Sequence, residues 1–306
     1  MKLDFRDVVF TAAHEVMAAD PKAVMLTNDM GAVGLDKIAA DFRDRTFNVG
    51  ISEQNMISVA GGLALTGRTV FVYGIIAHVY ARAFEQLRND VCVLDLPVVV
   101  LGVGSGLSYG SDGPTHHGVQ DIAVMRALPN MHVYNPCDGI AAAALVKLAA
   151  KARKPAHVRM DKEQLVPIYK ADQIFESGFA VLHEGKDIVL VSTGVLVHRA
   201  LEAAQRLASE GRAVRVVDLY RLKPVDMQQL GKAIGGAKAI VTLEENTEIG
   251  GLGSIVAETV ARAGISTKLV SLDLRDDVMM GAASRGWAEK TFGLGLDSLL
   301  QTLRSV

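Results

Sequence analysis

Apolar residues in this chain fall into short, wholly apolar runs separated by stretches of helical spacing. Val8, Val9, Ala12, Ala13, Val16 and Met17 recur at helical intervals, which predicts a helix over 6–19 that ends before Pro21. Ala23-Val24-Met25-Leu26-Thr27 reads as a buried strand, with Asn28-Asp29-Met30-Gly31 as the loop at its carboxyl end. Further strands are predicted at 46–49, 69–73, 97–101, 131–134 and 156–159, with helices at 52–66, 79–91, 119–127 and 139–151 between them. A second alternation has strands at 187–193, 213–218, 238–243 and 267–272. Its helices fall at 197–210, 225–235 and 253–263, and a helical region ends the chain. No hairpin signal interrupts either series. The pattern predicts an α/β protein of two doubly wound, parallel-sheet domains, residues 1–160 and 187–306, joined by a polar crossing over 161–186. Ligands of such sheets bind beyond the carboxyl ends of the strands. Asp29, Glu53, the segment after Tyr73 and the Gly-rich loop 102–118 all fall at that edge of the first domain.

Composition narrows the function classes. The 306 residues are enough for two domains, and half of them are apolar. With 32 basic and 34 acidic residues the net charge is −2, so no nucleic-acid footprint is expected. No apolar run reaches membrane-spanning length and the first residues lack a signal core, so no membrane association is expected. Cys92 and Cys137 have no metal-ligand spacing and read as reduced thiols of a cytoplasmic protein.

Two stretches carry chemistry. In the first, Gly50 makes a turn, Ser52 is placed to cap a helix, and Glu53 lies in that helix's first turn. Taken by itself, such an acid is most simply a partner of the helix dipole. The helix behind it, through Val59-Ala60-Gly61-Gly62-Leu63-Ala64-Leu65, is built of small and apolar residues and requires a close neighbour. The second stretch is Ser111-Asp112-Gly113-Pro114-Thr115-His116-His117-Gly118. Adjacent histidines point in different directions and have no third ligand at zinc spacing, so no metal site is expected. The loop also lacks the Gly-Lys-Ser/Thr ending of a phosphate loop. Glu244-Glu245-Asn246 with Gly250-Gly251-Leu252-Gly253-Ser254 invites a nucleotide-loop reading, but glycines at a strand-to-helix turn are first of all a packing device.

Gly50-Ile51-Ser52-Glu53-Gln54-Asn55, followed by Ala60-Gly61-Gly62-Leu63-Ala64, resembles the pyrimidine-binding segment of thiamine-diphosphate enzymes of the transketolase family. Asp112-Gly113-Pro114-Thr115-His116 is similar to that family's substrate loop, and Met125–Met131 and the 244–254 region are also similar to it. The resemblance implies a pyrimidine-binding domain followed by a transketolase C-terminal domain, and transfer of a two-carbon ketol unit from a ketose to an aldose. It implies that Glu53 hydrogen-bonds N1′ of the aminopyrimidine and begins cofactor activation. It further implies cofactor contacts from Asp29 and Ile51, and an aromatic contact on the aminopyrimidine from His78 or Tyr80. Asp112 and His116 are implied as sugar ligands, His116 or His117 as a mover of protons, and Arg159 and Arg6 as phosphate ligands.

The Gly-Asp-Gly and downstream Asn that bind diphosphate and Mg²⁺ in this family have no counterpart in the chain. The resemblance therefore implies the small subunit of a split transketolase. An N-terminal transketolase subunit would supply the diphosphate-binding domain and hold Mg²⁺, in an α₂β₂ heterotetramer acting on sugars or sugar phosphates. Two departures bear on substrate: Gly104 stands where ordinary transketolases have a histidine, and no Phe stands in 75–80. The nearest alternatives are the β subunit of a 2-oxo acid dehydrogenase and a deoxyxylulose-phosphate-synthase-like enzyme. A non-catalytic regulatory scaffold is a reading from another class, but it would need none of Glu53, Asp29, Asp112 and His116.

Overall fold

The structure, a computed structural model, describes residues 3–280 and 284–306. The first unit opens with β1 (Leu3–Asp4) and α1 (Phe5–Ala19), followed by β2 (Val24–Thr27), α2 (Val33–Asp41) and β3 (Thr46–Asn48). Then come α3 (Glu53–Leu65), β4 (Val70–Ile75), α4 (Ile76–Arg82) and α5 (Phe84–Gln86), continued by a π-helical turn over Leu87–Cys92. β5 (Val98–Val103), α6 (Asp121–Ala127), β6 (His132–Tyr134), α7 (Gly139–Ala152) and β7 (Ala156–Met160) complete it. The crossing carries β8 (Gln164–Leu165) and β9 (Ala180–His183). The second unit comprises β10 (Ile188–Ser192), α8 (Leu196–Ser209), β11 (Val214–Asp218), β12 (Arg221–Lys223) and α9 (Met227–Ile234). It ends with β13 (Ala239–Leu243), α10 (Leu252–Ala263), β14 (Lys268–Leu272), α11 (Arg285–Thr291) and α12 (Leu296–Ser305).

A seven-stranded sheet runs β12-β6-β7-β5-β4-β2-β3 and a five-stranded sheet runs β14-β13-β10-β11-β9. Both are parallel except at the edges, where β12 and β9 pair antiparallel with β6 and β11. β2, β4 and β5 are buried on both faces, as expected for apolar runs with helices above and below, and β7 is buried likewise although it carries His157 and Arg159. The edge strands were not legible as strands because they are short and lie in the predicted crossing or just after β11. β12 belongs to the second unit in sequence yet extends the first unit's sheet, so the two sheets are laced together across the boundary. α2 was also unanticipated: it buries only Leu35 and Ile38 and has no side-chain cap.

The helix predicted over 79–91 starts earlier and breaks at Ala83 (φ −104°), then widens into the π turn. The cause is the close neighbour that α3 required. A Cβ on Gly61 would lie 2.6 Å from the carbonyl oxygen of Asp90, and Ser58 donates to the Asp90 carboxylate at 2.6 Å.

Within the crossing, the Asp138 carboxylate accepts from the backbone N–H groups of Ile168 and Tyr169, at 2.6 and 2.9 Å. Tyr169, Phe175 and Tyr220 then pack edge to face. The Tyr169 hydroxyl donates to Asp218 at 2.8 Å. Full burial pushes the Asp218 carboxyl up to about 7, against the opposing effect of that hydrogen bond. Between the ordinary carboxylate value near 4 and about 7, the folded chain holds a proton that the unfolded chain has lost. Stability is therefore expected to fall with rising pH across that window, at up to about 1.4 kcal/mol per pH unit from this group. Asp218→Asn should flatten that slope in urea titrations at several pH values.

Candidate active site

Four neighbouring strands, β5, β4, β2 and β3, direct their carboxyl ends to one cleft. β2 runs into Asn28 and Asp29, β3 into the turn before Glu53, β4 directly into α4, and β5 into the loop 104–118. Adjacency in the sheet converges residues that lie far apart in the sequence.

Glu53 occupies the first turn of α3 and its side chain is 3% exposed. Ser52 stands at the N-cap position, but its hydroxyl donates to the Val49 carbonyl and does not cap the helix. The Asn28 amide donates to Glu53 Oε1 at 2.9 Å, and Arg82 Nη1 donates to Oε2 at 3.1 Å. Burial raises the Glu53 carboxyl, but its own backbone amide, the Arg82 guanidinium and Asn28 together hold it below the ordinary glutamate value. His78 Nδ1 lies 3.9 Å from Oε1. Burial and the Arg82 charge hold His78 below its ordinary value, so a neutral imidazole faces the acid near neutral pH. The His116 ring packs edge-on between those of His78 and Tyr109, at centroid distances of 5.0 and 5.9 Å. Thr115 Oγ1 is hydrogen-bonded to His116 Nδ1 at 2.9 Å. Asp112 lies exposed in a 3₁₀ turn of the same loop.

Asp29 adopts a left-handed conformation (φ 66°) and is clasped by Asn48, which donates to its carboxylate and accepts from its N–H. This fixes an exposed carboxylate at the lip of the cleft. Ile51 stands on the same lip and is 75% exposed. Tyr80 directs its hydroxyl to Gln120 at 2.8 Å, on the far side of α4 from His78's contacts. Burial raises the phenols of Tyr73 and Tyr109, and Arg6, in the first turn of α1, is close enough for its charge to oppose that rise.

Two expected site residues lie elsewhere. Arg159 is 4% exposed, and its guanidinium donates to both carboxylate oxygens of Asp121 and to the Gly118 carbonyl, at 2.7–3.1 Å. His157 bonds the same carboxylate at 2.9 Å. Arg159 thus anchors the end of the loop from beneath, through Nε and Nη2 bonded to Asp121 and the loop backbone. His117 is buried against the second unit, bonded to the backbone of Tyr109 and Gly110, and lines a cavity of about 40 Å³ with Leu107, Leu274, Met279 and Phe292. Its Nε2 is buried with no hydrogen-bond partner, and its ring lies against the second unit.

The second unit holds the base of the same loop. Leu107 N–H donates to Glu245, and Arg285 binds Glu245, Asp161 and Glu163 together. The 244–254 turn that resembles a nucleotide loop is filled by the protein's own carboxyl group, that of Glu244. Glu244 accepts from Leu252 and Gly253 N–H at 2.7 and 2.8 Å at the start of α10, and a Cβ on Gly251 would strike it at 2.3 Å. Gly104, where a histidine was expected from the resemblance, has φ 99°, and a Cβ there would lie 2.4 Å from the Tyr109 ring. Tyr109 occupies that space. Asn28, Arg82 and Tyr109 were not singled out from the sequence; each belongs to the site only through strand adjacency or loop folding.

Comparisons with known proteins identify the family. Residues 1–167 match the family model described as transketolase, pyrimidine binding domain, and residues 178–299 match transketolase, C-terminal domain. The chain belongs to the transketolase family. It is 33% identical to an apulose-4-phosphate transketolase subunit of Phocaeicola vulgatus, over 94% of this chain and 92% of that protein. It is 35% identical to a putative transketolase C-terminal section of Methanocaldococcus jannaschii, over 83% of this chain and 80% of that one. It also spans 44% of a 1-deoxy-D-xylulose-5-phosphate synthase from Carboxydothermus hydrogenoformans, at 32% identity. A solved structure described as a split gene transketolase, inactive beta4 tetramer, superposes with a TM-score of 0.89 at 33% identity, covering 100% of this chain and 98% of that one.

Proposed function

We propose that this chain is the C-terminal-half subunit of a two-chain transketolase, moving a two-carbon ketol unit from a ketose to an aldose with thiamine diphosphate. The observation that carries the reading is the Glu53 cleft. It holds a nearly buried acid beside Asn28, whose Oδ1 is a buried oxygen with no partner. An aminopyrimidine suits that pair, since it presents a ring-nitrogen acceptor and amine donors. The near-complete mutual coverage with relatives named as a transketolase subunit or as a C-terminal section supports the split arrangement. The deoxyxylulose-phosphate-synthase reading has less support, because such relatives are more than twice as long as the aligned segment.

Glu53 binds and orients the aminopyrimidine and holds a proton at its ring nitrogen, with Asn28 fixing Oε1. His78 flanks the ring, and Tyr80 supports α4 from outside the cleft. Asp29 and Ile51, on the exposed lip, meet the cofactor from the edge where a partner chain docks. Bound thiamine diphosphate supplies the carbon nucleophile that accepts and releases the two-carbon unit. Asp112 and His116 bind substrate hydroxyls, and His116, the histidine that packs against His78, moves the substrate proton. Arg6 is the remaining candidate for a phosphate group.

Among the described residues no group of three or more His, Cys, Asp or Glu side chains converges to hold a metal. Mg²⁺ does not fit this chain by itself. In this reading the metal and the diphosphate belong to an N-terminal subunit, in an α₂β₂ assembly. The relative described as an inactive β₄ tetramer supports dependence on that partner. No helix among the described residues is long and apolar enough to cross a membrane.

The test is turnover by the reconstituted pair with a panel of ketoses and ketose phosphates, apulose 4-phosphate included because two relatives carry that name. His116→Ala is expected to lower kcat/KM by about 10²-fold or more. His117→Ala should leave KM near wild type, since its side chain faces the second unit. Equal loss in both variants would contradict the assignment, and decarboxylation of 2-oxo acids without ketose turnover would favour the dehydrogenase reading.

A further inference from the structure

Arg82 is the one cation in direct contact with Glu53 among the described residues, and nothing in the motifs required it. It ends α4 with its side chain 55% exposed, while the carboxylate it bonds is 3% exposed. The groups facing that carboxylate are Asn28 from the end of β2, the backbone amide of α3, and His78 and Arg82 from α4. Asn28 is buried and fixed; Arg82 is on the solvent side and free to swing on a flexible stem.

This arrangement conflicts with the role proposed for Glu53. An ionised carboxylate offers only acceptor lone pairs, and so does the ring nitrogen of an aminopyrimidine. Two acceptors can meet only if one proton from solvent is placed between them. A guanidinium 3.1 Å from Oε2 repels that proton whichever of the two atoms carries it.

We infer that Arg82 is a displaceable counter-ion of Glu53: it pairs with the carboxylate in the chain by itself and withdraws when Glu53 shares a proton with the aminopyrimidine. Arg82 is thus a positioning residue that lowers cofactor affinity and couples binding to uptake of one proton from the buffer. Withdrawal frees the guanidinium at the mouth of the cleft. The inference rests on the transketolase reading for the identity of the incoming ring. The pairing itself rests only on the contacts above.

Two measurements test it. In the chain alone, ¹³C NMR of labelled glutamate should place the Glu53 protonation midpoint below the ordinary glutamate value, and Arg82→Met should move it upward. An unmoved midpoint would overturn the pairing. In the reconstituted pair, calorimetry in buffers of different ionisation enthalpy should show uptake of about one proton per thiamine diphosphate bound. Arg82→Met should bind the cofactor about tenfold more tightly, the equivalent of one pH unit of proton affinity. Arg82→Lys, which keeps the charge, should stay near wild type, and in a Glu53→Gln background the Arg82→Met gain should vanish. Weaker or unchanged binding by Arg82→Met, or Lys behaving like Met, would overturn the inference. Absence of cofactor binding by the wild-type pair would overturn the functional reading and the withdrawal with it, whereas a midpoint that still moved would leave the pairing standing.

Discussion

Glu53→Gln in the reconstituted enzyme is expected to lower kcat by about 10²–10⁴-fold while leaving the fold intact. Glutamine keeps the size of the side chain, can still accept from Asn28, and loses the ability to hold a proton at a ring nitrogen together with the ion pair to Arg82. The loss of the Arg82 contact is minor, because that guanidinium is half exposed and returns to water. Circular dichroism and denaturant midpoints should therefore change little, while steady-state turnover collapses. Activity within a few-fold of wild type would remove Glu53 from the reaction.

Arg159→Met is expected to act in the opposite way, costing about 3–5 kcal/mol of stability. Its partner Asp121 is wholly buried and takes three charge-assisted or histidine hydrogen bonds, two of them from Arg159 and one from His157. Two influences dominate Asp121: burial raises its carboxyl, and the Arg159 charge overrides that, with His157, to hold it below the ordinary value. Without the guanidinium the carboxylate is left buried beside one imidazole, and the Gly118 carbonyl loses its donor. Urea denaturation reads the effect directly. If Arg159 instead bound a sugar phosphate, the variant would keep its stability and raise KM for phosphorylated substrates only.

The contrast between these two residues marks what was legible in the sequence. The placement of Glu53 in the first turn of an apolar helix was readable because its setting is local: a strand, a glycine turn and that helix lie within twenty residues. The parallel, doubly wound plan was readable because both sheet faces are covered, so the strands are continuous apolar runs. The Asp121 partner of Arg159 was not legible because it is a carboxylate 38 residues earlier, and no spacing rule reports that β5, β6 and β7 bring them together. Asn28 and Arg82 became site residues only once β2, β3 and β4 proved to be neighbours. His116 and His117 could not be separated until the loop's own hydrogen bonds fixed which way each ring points. The antiparallel edges β9 and β12 escaped notice because short, half-polar segments carry no periodicity.

The most direct test of the account is calorimetric binding of thiamine diphosphate in the presence of Mg²⁺, for this chain alone and mixed with a partner that carries the diphosphate-binding domain. The account predicts no tight binding by the chain alone and stoichiometric binding by the mixture. Tight binding by the chain alone, or none by the mixture, would contradict it.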